Sequence, residues 1–245
     1  MKANTNCLEK MIEKAKERSI DGDIVLSDKT LYWYDKIQDR EMEICLEKRD
    51  EDDFIDKIVE INQASKKCHV SGEEIASLLA SIDPAMTCSL DKIYIYNRRD
   101  GDEALAEAAN VSLDQLPEMI GDRDCMGCFW SQENSIILDI SAIEEAGMKG
   151  FNEMCDWGYP SEPEVQIRLA FFTTLTHEIG HLGFENPLVS ECMGFWHDDF
   201  DKEKFEAALE DMKSESGVEK WGIEAYENWE YLLWQKEKEK NGMKF

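Results

Sequence analysis

The stretch THEIGHLGFENP, Thr176 to Pro187, places two of the chain's four histidines, His177 and His181, four residues apart with Glu178 beside the first. Four residues advance an α-helix by about 6 Å and return to the same face, so two imidazoles at that interval can close on one ion with Zn–N bonds of about 2.1 Å. Glu178 is angled away from the pair, where a carboxylate reaches water on the ion rather than the ion itself; that is the position of a general base. Gly180 would leave room beside the ion, and Gly183 is placed to end the helix, so that its unpaired carbonyls favour a cation at the histidines. The competing reading is a pair of hydrogen-bonded core histidines. The placement of half of all the histidines in one strongly marked helix favours the metal.

That helix is written locally in SEPEVQIRLAFFTTLTHEIGHLG. Ser161 and Glu164 form a capping-box pattern, and Pro163 suits a first turn that has no hydrogen bond to lose. Val165, Ile167, Leu169, Ala170, Phe171, Phe172, Leu175, Ile179 and Leu182 cover nearly its whole circumference, as in a helix buried within a domain.

Ahead of it, Cys7, Leu8, Met11, Ile12 and Ala15 have helical spacing, and IVLSDKTLYWYD and REMEICLE read as short strands. DDFIDKIVEINQASKK carries a helical period through Phe54, Ile55, Ile58, Val59 and Ile61. GEEIASLLASID and GDEALAEAAN are helical, DKIYIYN is strand-like, and CFWSQENSIILDI reads as a hairpin. DKEKFEAALEDM and, after a Ser/Gly break, VEKWGIEAYENWEYLLWQKEKEK complete the chain. These elements predict an N-terminal subdomain over residues 1–65 followed by the main domain over 66–245.

The 245 residues suffice for one good-sized core. A hydrophobic share of 42% beside a charged share of 33% is a globular balance, and a net charge of -27 repels nucleic acid and anionic membranes. No apolar run reaches bilayer length, and the first residues lack a secretory signal, so a soluble cytoplasmic protein is expected. Eight scattered cysteines fit reduced thiols better than a disulfide framework. Within them CMGC, Cys125 to Cys128, has knuckle spacing but no second CxxC to complete a site, and His69 reads as an ordinary core or surface residue.

Thr174 to Gly183 resembles the zincin metallopeptidases, in which HExxH supplies two zinc ligands and the catalytic glutamate. The resemblance implies an α+β fold: a small mixed sheet with an antiparallel edge strand packed on the HExxH helix, and a mainly helical C-terminal half. The SIILDI arm, Ser135 to Ile140, is the candidate for that edge strand. The longer metzincin motif is absent, because Phe184 and Pro187 stand where it needs glycine and a ligand. In glutamate-liganded zincins the third ligand comes from a later helix, commonly with Asp, Asn or Glu four residues on. Glu224 and Asn228 in GIEAYENWEYLL have that spacing, and the pattern is similar to the third-ligand helix of ImmA/IrrE-type peptidases and, more distantly, to the catalytic domain of anthrax lethal factor. Glu227, Glu230, Glu206 with Glu210, Glu191 and His197 compete for the place. His197, Tyr226 and Tyr231 are candidates for donating to an oxyanion, and Cys155 or Cys192 for capping a zinc.

The expectation is therefore a zinc-dependent metallopeptidase acting on a peptide or protein substrate, with His177, His181 and Glu224 on the metal and Glu178 as base. A non-catalytic metal-binding regulator with the same fold is the alternative, and a hydrolase of non-peptide amides is a third. An intact Glu178 argues against a purely structural site, which has no need of a base.

Overall fold

The structure is a computed structural model, and it describes residues 12–13, 15–27, 30–36, 40–45, 50–120, 125–159, 161–185 and 214–240. Strands β1 (Ser19–Ser27), β2 (Thr30–Asp35) and β3 (Arg40–Cys45) form an antiparallel meander. Its alternation is plain in β2, where Leu31 and Trp33 face inward and Tyr32 and Tyr34 outward, while Met42, opposite Trp33, is buried with them.

A second sheet is built from β4 (Ile58–Glu60), β5 (Ile93–Tyr96), β6 (Gly127–Trp130) and β7 (Ser135–Asp139), in the order β4-β5-β7-β6. β4, β5 and β7 are parallel, and β6 is antiparallel at the edge. The helices are α1 (Gly72–Ser81), α2 (Asp102–Ala109), α3 (Ile140–Asp156), α4 (Pro163–Glu185) and α5 (Glu215–Lys240). The protein is thus mixed α+β, with small sheets and a helical C-terminal half. Among the described residues no helix is long and apolar enough to cross a membrane.

Both faces of the second sheet are covered. Ile93, Ile95, Ile136 and Leu138 join Phe171, Phe172, Leu175 and Ile179 of α4 in the main core. Tyr94, Tyr96, Ile137, Cys128 and Trp130 face the other way, onto Leu105 of α2. This explains a correction. The SIILDI arm is not the edge strand: β7 is buried at every position because it lies between β5 and β6, as an apolar run without alternation requires. Its hairpin partner β6, with alternating burial, holds the edge.

Two further segments depart from expectation. The helical period at 52–67 yields one turn, Asp52–Ile55, and then strand β4. β-branched Ile58 and Val59 pair with Ile93 and Tyr94, which gives their backbone groups partners that a surface helix would not, and left-handed Asn62 and Gln63 end the run. Residues 58–60 therefore belong to the central sheet. α3, to which the sequence suggests no element, starts on Asp139, whose carboxylate accepts the Ser141 backbone N–H at 3.0 Å. Gly147 in its middle faces Ile167, and a Cβ there would lie 2.5 Å from the Ile167 Cα, so α3 and α4 cross at van der Waals distance only because that residue is glycine.

Candidate metal centre

α4 begins at Pro163, as its sequence implies, but Ser161 is not its capping box: the Ser161 hydroxyl accepts from the Gln166 side chain at 3.0 Å. The helix packs against α3, α5 and β6. Phe171, Phe172, Leu175, Ile179 and Leu182 are buried, which fixes the rotation of the helix and hence the face on which its histidines stand. His177 and His181 present Nε2 to Nε2 at 3.0 Å, each about a quarter exposed. Gly183 does not end the helix, which continues to Glu185; it faces Met86, whose Cε would lie 2.3 Å from an added Cβ.

The third group is Glu215, whose Oε2 lies 3.4 Å from His177 Nε2 and 3.6 Å from His181 Nε2. Among the described residues these three form the only group of potential metal-binding side chains whose ligand atoms all lie within 4.8 Å of one another. Glu215 opens α5. The Ser/Gly segment around it, which reads as a break in the sequence, is the start of the helix with Ser214 as its cap: the Ser214 hydroxyl accepts the Gly217 N–H at 3.2 Å, and the Ser214 carbonyl accepts from Val218 at 2.9 Å. Gly180 leaves room for this helix rather than for an ion, since an added Cβ would meet Val218 Cγ1 at 2.7 Å. Gly222 returns the favour from α5, with the His177 backbone nitrogen 3.0 Å from where its Cβ would be. Two glycines thus bring the helices together beside the histidines.

The structure does not bring Glu224 to them. Glu224 and Asn228 are exposed, on a different face of α5 from Val218, Gly222, Tyr226 and Trp229, which pack inward. Glu227 and Glu230 line the cleft in front of the histidines, and Glu230 accepts a hydrogen bond from the Tyr226 hydroxyl. Tyr231 is exposed. Glu191, Cys192, His197, Glu206 and Glu210 lie outside the described residues. The signal for Glu215 was present in ESGVE, where Glu215 and Glu219 have the same four-residue interval as Glu224 and Asn228; the small polar residues between them disguised it.

Glu178 sits beside the pair and faces β6. It is 6% exposed, and burial pushes its carboxyl up to about 8. The Phe129 backbone N–H donates to it and pulls the other way, while the charge of Glu215 adds to the rise. Gly127 clears the space, because a Cβ there would meet Thr174 Cγ2 at 2.8 Å and Glu178 Cγ at 3.2 Å. His177 is held below the ordinary histidine range by burial and by His181, against the opposing charges of Glu215 and Glu219. All of these groups open into a cleft of about 960 Å³ between β6, α4, α3 and α5.

Three other sequence candidates stay off the histidines. Cys125 and Cys128 border the cleft, but the Cys128 side chain packs in the core on the opposite face of the sheet, where burial pushes its thiol up to about 12, and Cys125 donates to the Gly127 carbonyl at 3.0 Å. Cys155 lies exposed on α3, outside the cleft lining. His69 lies 3.8 Å from Glu164 at the far end of α4.

The donor set could hold a metal ion. Two imidazoles and a carboxylate are ordinary ligands for a divalent ion, and the 3.0, 3.4 and 3.6 Å separations bracket the value of about 3.4 Å that bonds of about 2.1 Å around one tetrahedral ion require. The downward shift of His177 favours the neutral ring that a metal needs. Comparison of the chain with protein-family models, curated proteins and solved structures gives no significant match.

Proposed function

We propose that the protein is a zinc-dependent metallopeptidase of zincin type, with His177, His181 and Glu215 as metal ligands and Glu178 as general base. One observation carries the reading: a buried glutamate stands between a convergent His-His-Glu triad and the open edge of a sheet, inside a single cleft. Zinc bound by the triad would acidify a water molecule and draw charge from a substrate carbonyl.

The chain's own groups supply the rest. In its ionised form Glu178 can accept a proton from water and return it to the departing amine nitrogen, and the burial that raises its carboxyl makes that carboxylate a stronger base than an exposed one. The hydrogen bond from Phe129 keeps its carboxyl on the β6 side of the histidines. β6 is the edge strand among the described residues, and an extended peptide can lie along it, its backbone bonded and its side chains alternating in direction. Of the sequence candidates for steadying an oxyanion, Tyr226 lines the same cleft. We place the protein in a reducing, cytoplasmic setting, which suits its eight scattered cysteines as thiols.

The test is hydrolysis of a mixed peptide library by zinc-loaded protein, alongside Glu178→Gln. Cleavage in the wild type, lost in the variant while zinc stays bound, is the expected result. Zinc binding without turnover on any library would turn the assignment toward a non-catalytic metal-binding protein.

A further inference from the structure

The two walls of the cleft differ in chemistry. Along α5, Glu215, Glu219, Glu227 and Glu230 face it over 15 residues, a stripe of about 22 Å. Met119, Met126, Leu169 and Ala170 line the same cleft from elements other than α5, together with Gly147 and Gly150 of α3, while α5 itself adds Ile223 and Tyr226 to its four glutamates. Among the described residues no lysine or arginine lines the cleft, and neither Glu219 nor Glu227 meets a basic side chain. The stripe is one wall of the cleft already described, not a site of its own.

We infer that the substrates are basic peptides bearing an apolar residue: the apolar side chain occupies the methionine-lined wall, and lysine or arginine residues face the glutamates of α5. The inference deepens the metallopeptidase reading and rests on it. An extended strand sends successive side chains to opposite sides, so one peptide can meet both walls at once. In a concave cleft with one apolar side, unopposed carboxylates focus their field and attract cations more strongly than the same charges on an open surface. An acidic peptide would have to bring its charge against the same stripe. Glu215 is committed to the histidines, which leaves Glu219 and Glu227 as the positions that set the preference.

The experiment measures binding, so it does not depend on turnover. Fluorescein-labelled decapeptides with a common Ala-Gly-Leu frame and two Lys, two Gln or two Glu residues are titrated against full-length, zinc-loaded Glu178→Gln protein by anisotropy. The Lys peptide is expected to bind about tenfold or more tightly than the Gln peptide, and the Glu peptide weakest. Glu219→Gln with Glu227→Gln should remove most of that difference, whereas Glu153→Gln with Asp156→Asn, equal in charge but on α3 outside the cleft, should leave it intact. Equal affinity for the three peptides overturns the inference, as does equal loss in both double variants, which would assign the effect to net charge. Charge-selective binding without cleavage of any library by the wild type would leave the selectivity standing and remove the peptidase reading.

Discussion

The second half of α4 is enclosed by sheet and helices, and its histidines inherit their position from Phe171, Phe172, Leu175 and Ile179, which are buried. Val165 and Leu169 in its first half are exposed, against the all-round burial its apolar pattern implies. α5 is not enclosed. It turns Val218, Gly222, Tyr226 and Trp229 inward, leaves Tyr231, Leu233 and Trp234 exposed, and delivers Glu215 from its first turn. The proposed centre would therefore draw two ligands from a packed core element and one from the capped end of a surface helix. The first kind of ligand is fixed by packing that exists for other reasons, and the second by two glycine contacts and a serine cap.

The largest effect that would break this comparison is chemical. Glu178→Gln should lower peptide hydrolysis by about a thousandfold or more while zinc content stays at wild-type level, because the amide keeps the shape but cannot take a proton. Loss of zinc in that variant would mean that Glu178 is itself a ligand.

Packing comes next. Gly222→Val should destabilise the fold by about 1–3 kcal/mol in denaturant titration and weaken zinc binding, since its side chain must push α5 away from the His177 backbone. Gly72→Ala, with nothing within 4 Å of its added Cβ, should change neither. If Gly222→Val lost stability but bound zinc normally, Glu215 would not depend on helix contact.

A third effect separates the buried carboxyl from the exposed one. The Glu178 carboxyl is raised from 4.5 to about 8, so in the presence of chelator the folded chain holds an extra proton between those values and loses stability as pH rises through them. Glu178→Gln should remove that decline and gain about 1–3 kcal/mol at pH 7. Parallel pH–stability curves for the two proteins would contradict the burial argument.

The smallest effect lies at the other end of α4, where Arg168 Nη2 meets Glu74 at 2.8 Å. Burial raises the Glu74 carboxyl, but the Arg168 hydrogen bond, the Ser71 N–H and hydroxyl, and the Arg168 charge together take it below its ordinary value. That stabilisation is complete above the unfolded value of 4.5 and is lost as pH falls through the lower folded one. After discounting for solvent screening, Glu74→Gln should cost less than about 1 kcal/mol at pH 7 and flatten the acid limb of thermal unfolding.

The same contrast explains what could be read from the residues. α4 was legible because Pro163, the all-round apolar pattern and the histidine interval are local signals that agree. The hairpin of β6 and β7 was legible too, but its polarity was reversed, since an apolar run marks a strand covered on both sides rather than one at an edge. Glu215 was hidden by Ser214, Ser216 and Gly217, residues that suit a linker and a helix cap equally well. Gly180 and Gly183 were given roles at the ion and the helix end, yet their partners, Val218 and Met86, are set by tertiary contact and leave no mark nearby. α3 was missed for a similar reason: the glycine that weakens its helical signal is the one that lets it cross α4.

The central claim is most directly tested by zinc K-edge absorption spectroscopy, with metal quantified per chain, on the wild type, Glu215→Ala and Glu224→Ala. One zinc per chain is expected, with two imidazole nitrogens in its shell, and one oxygen ligand should be lost or replaced in Glu215→Ala while Glu224→Ala matches the wild type. Failure to take up stoichiometric zinc, or a shell altered by Glu224→Ala and not by Glu215→Ala, would contradict the centre described above.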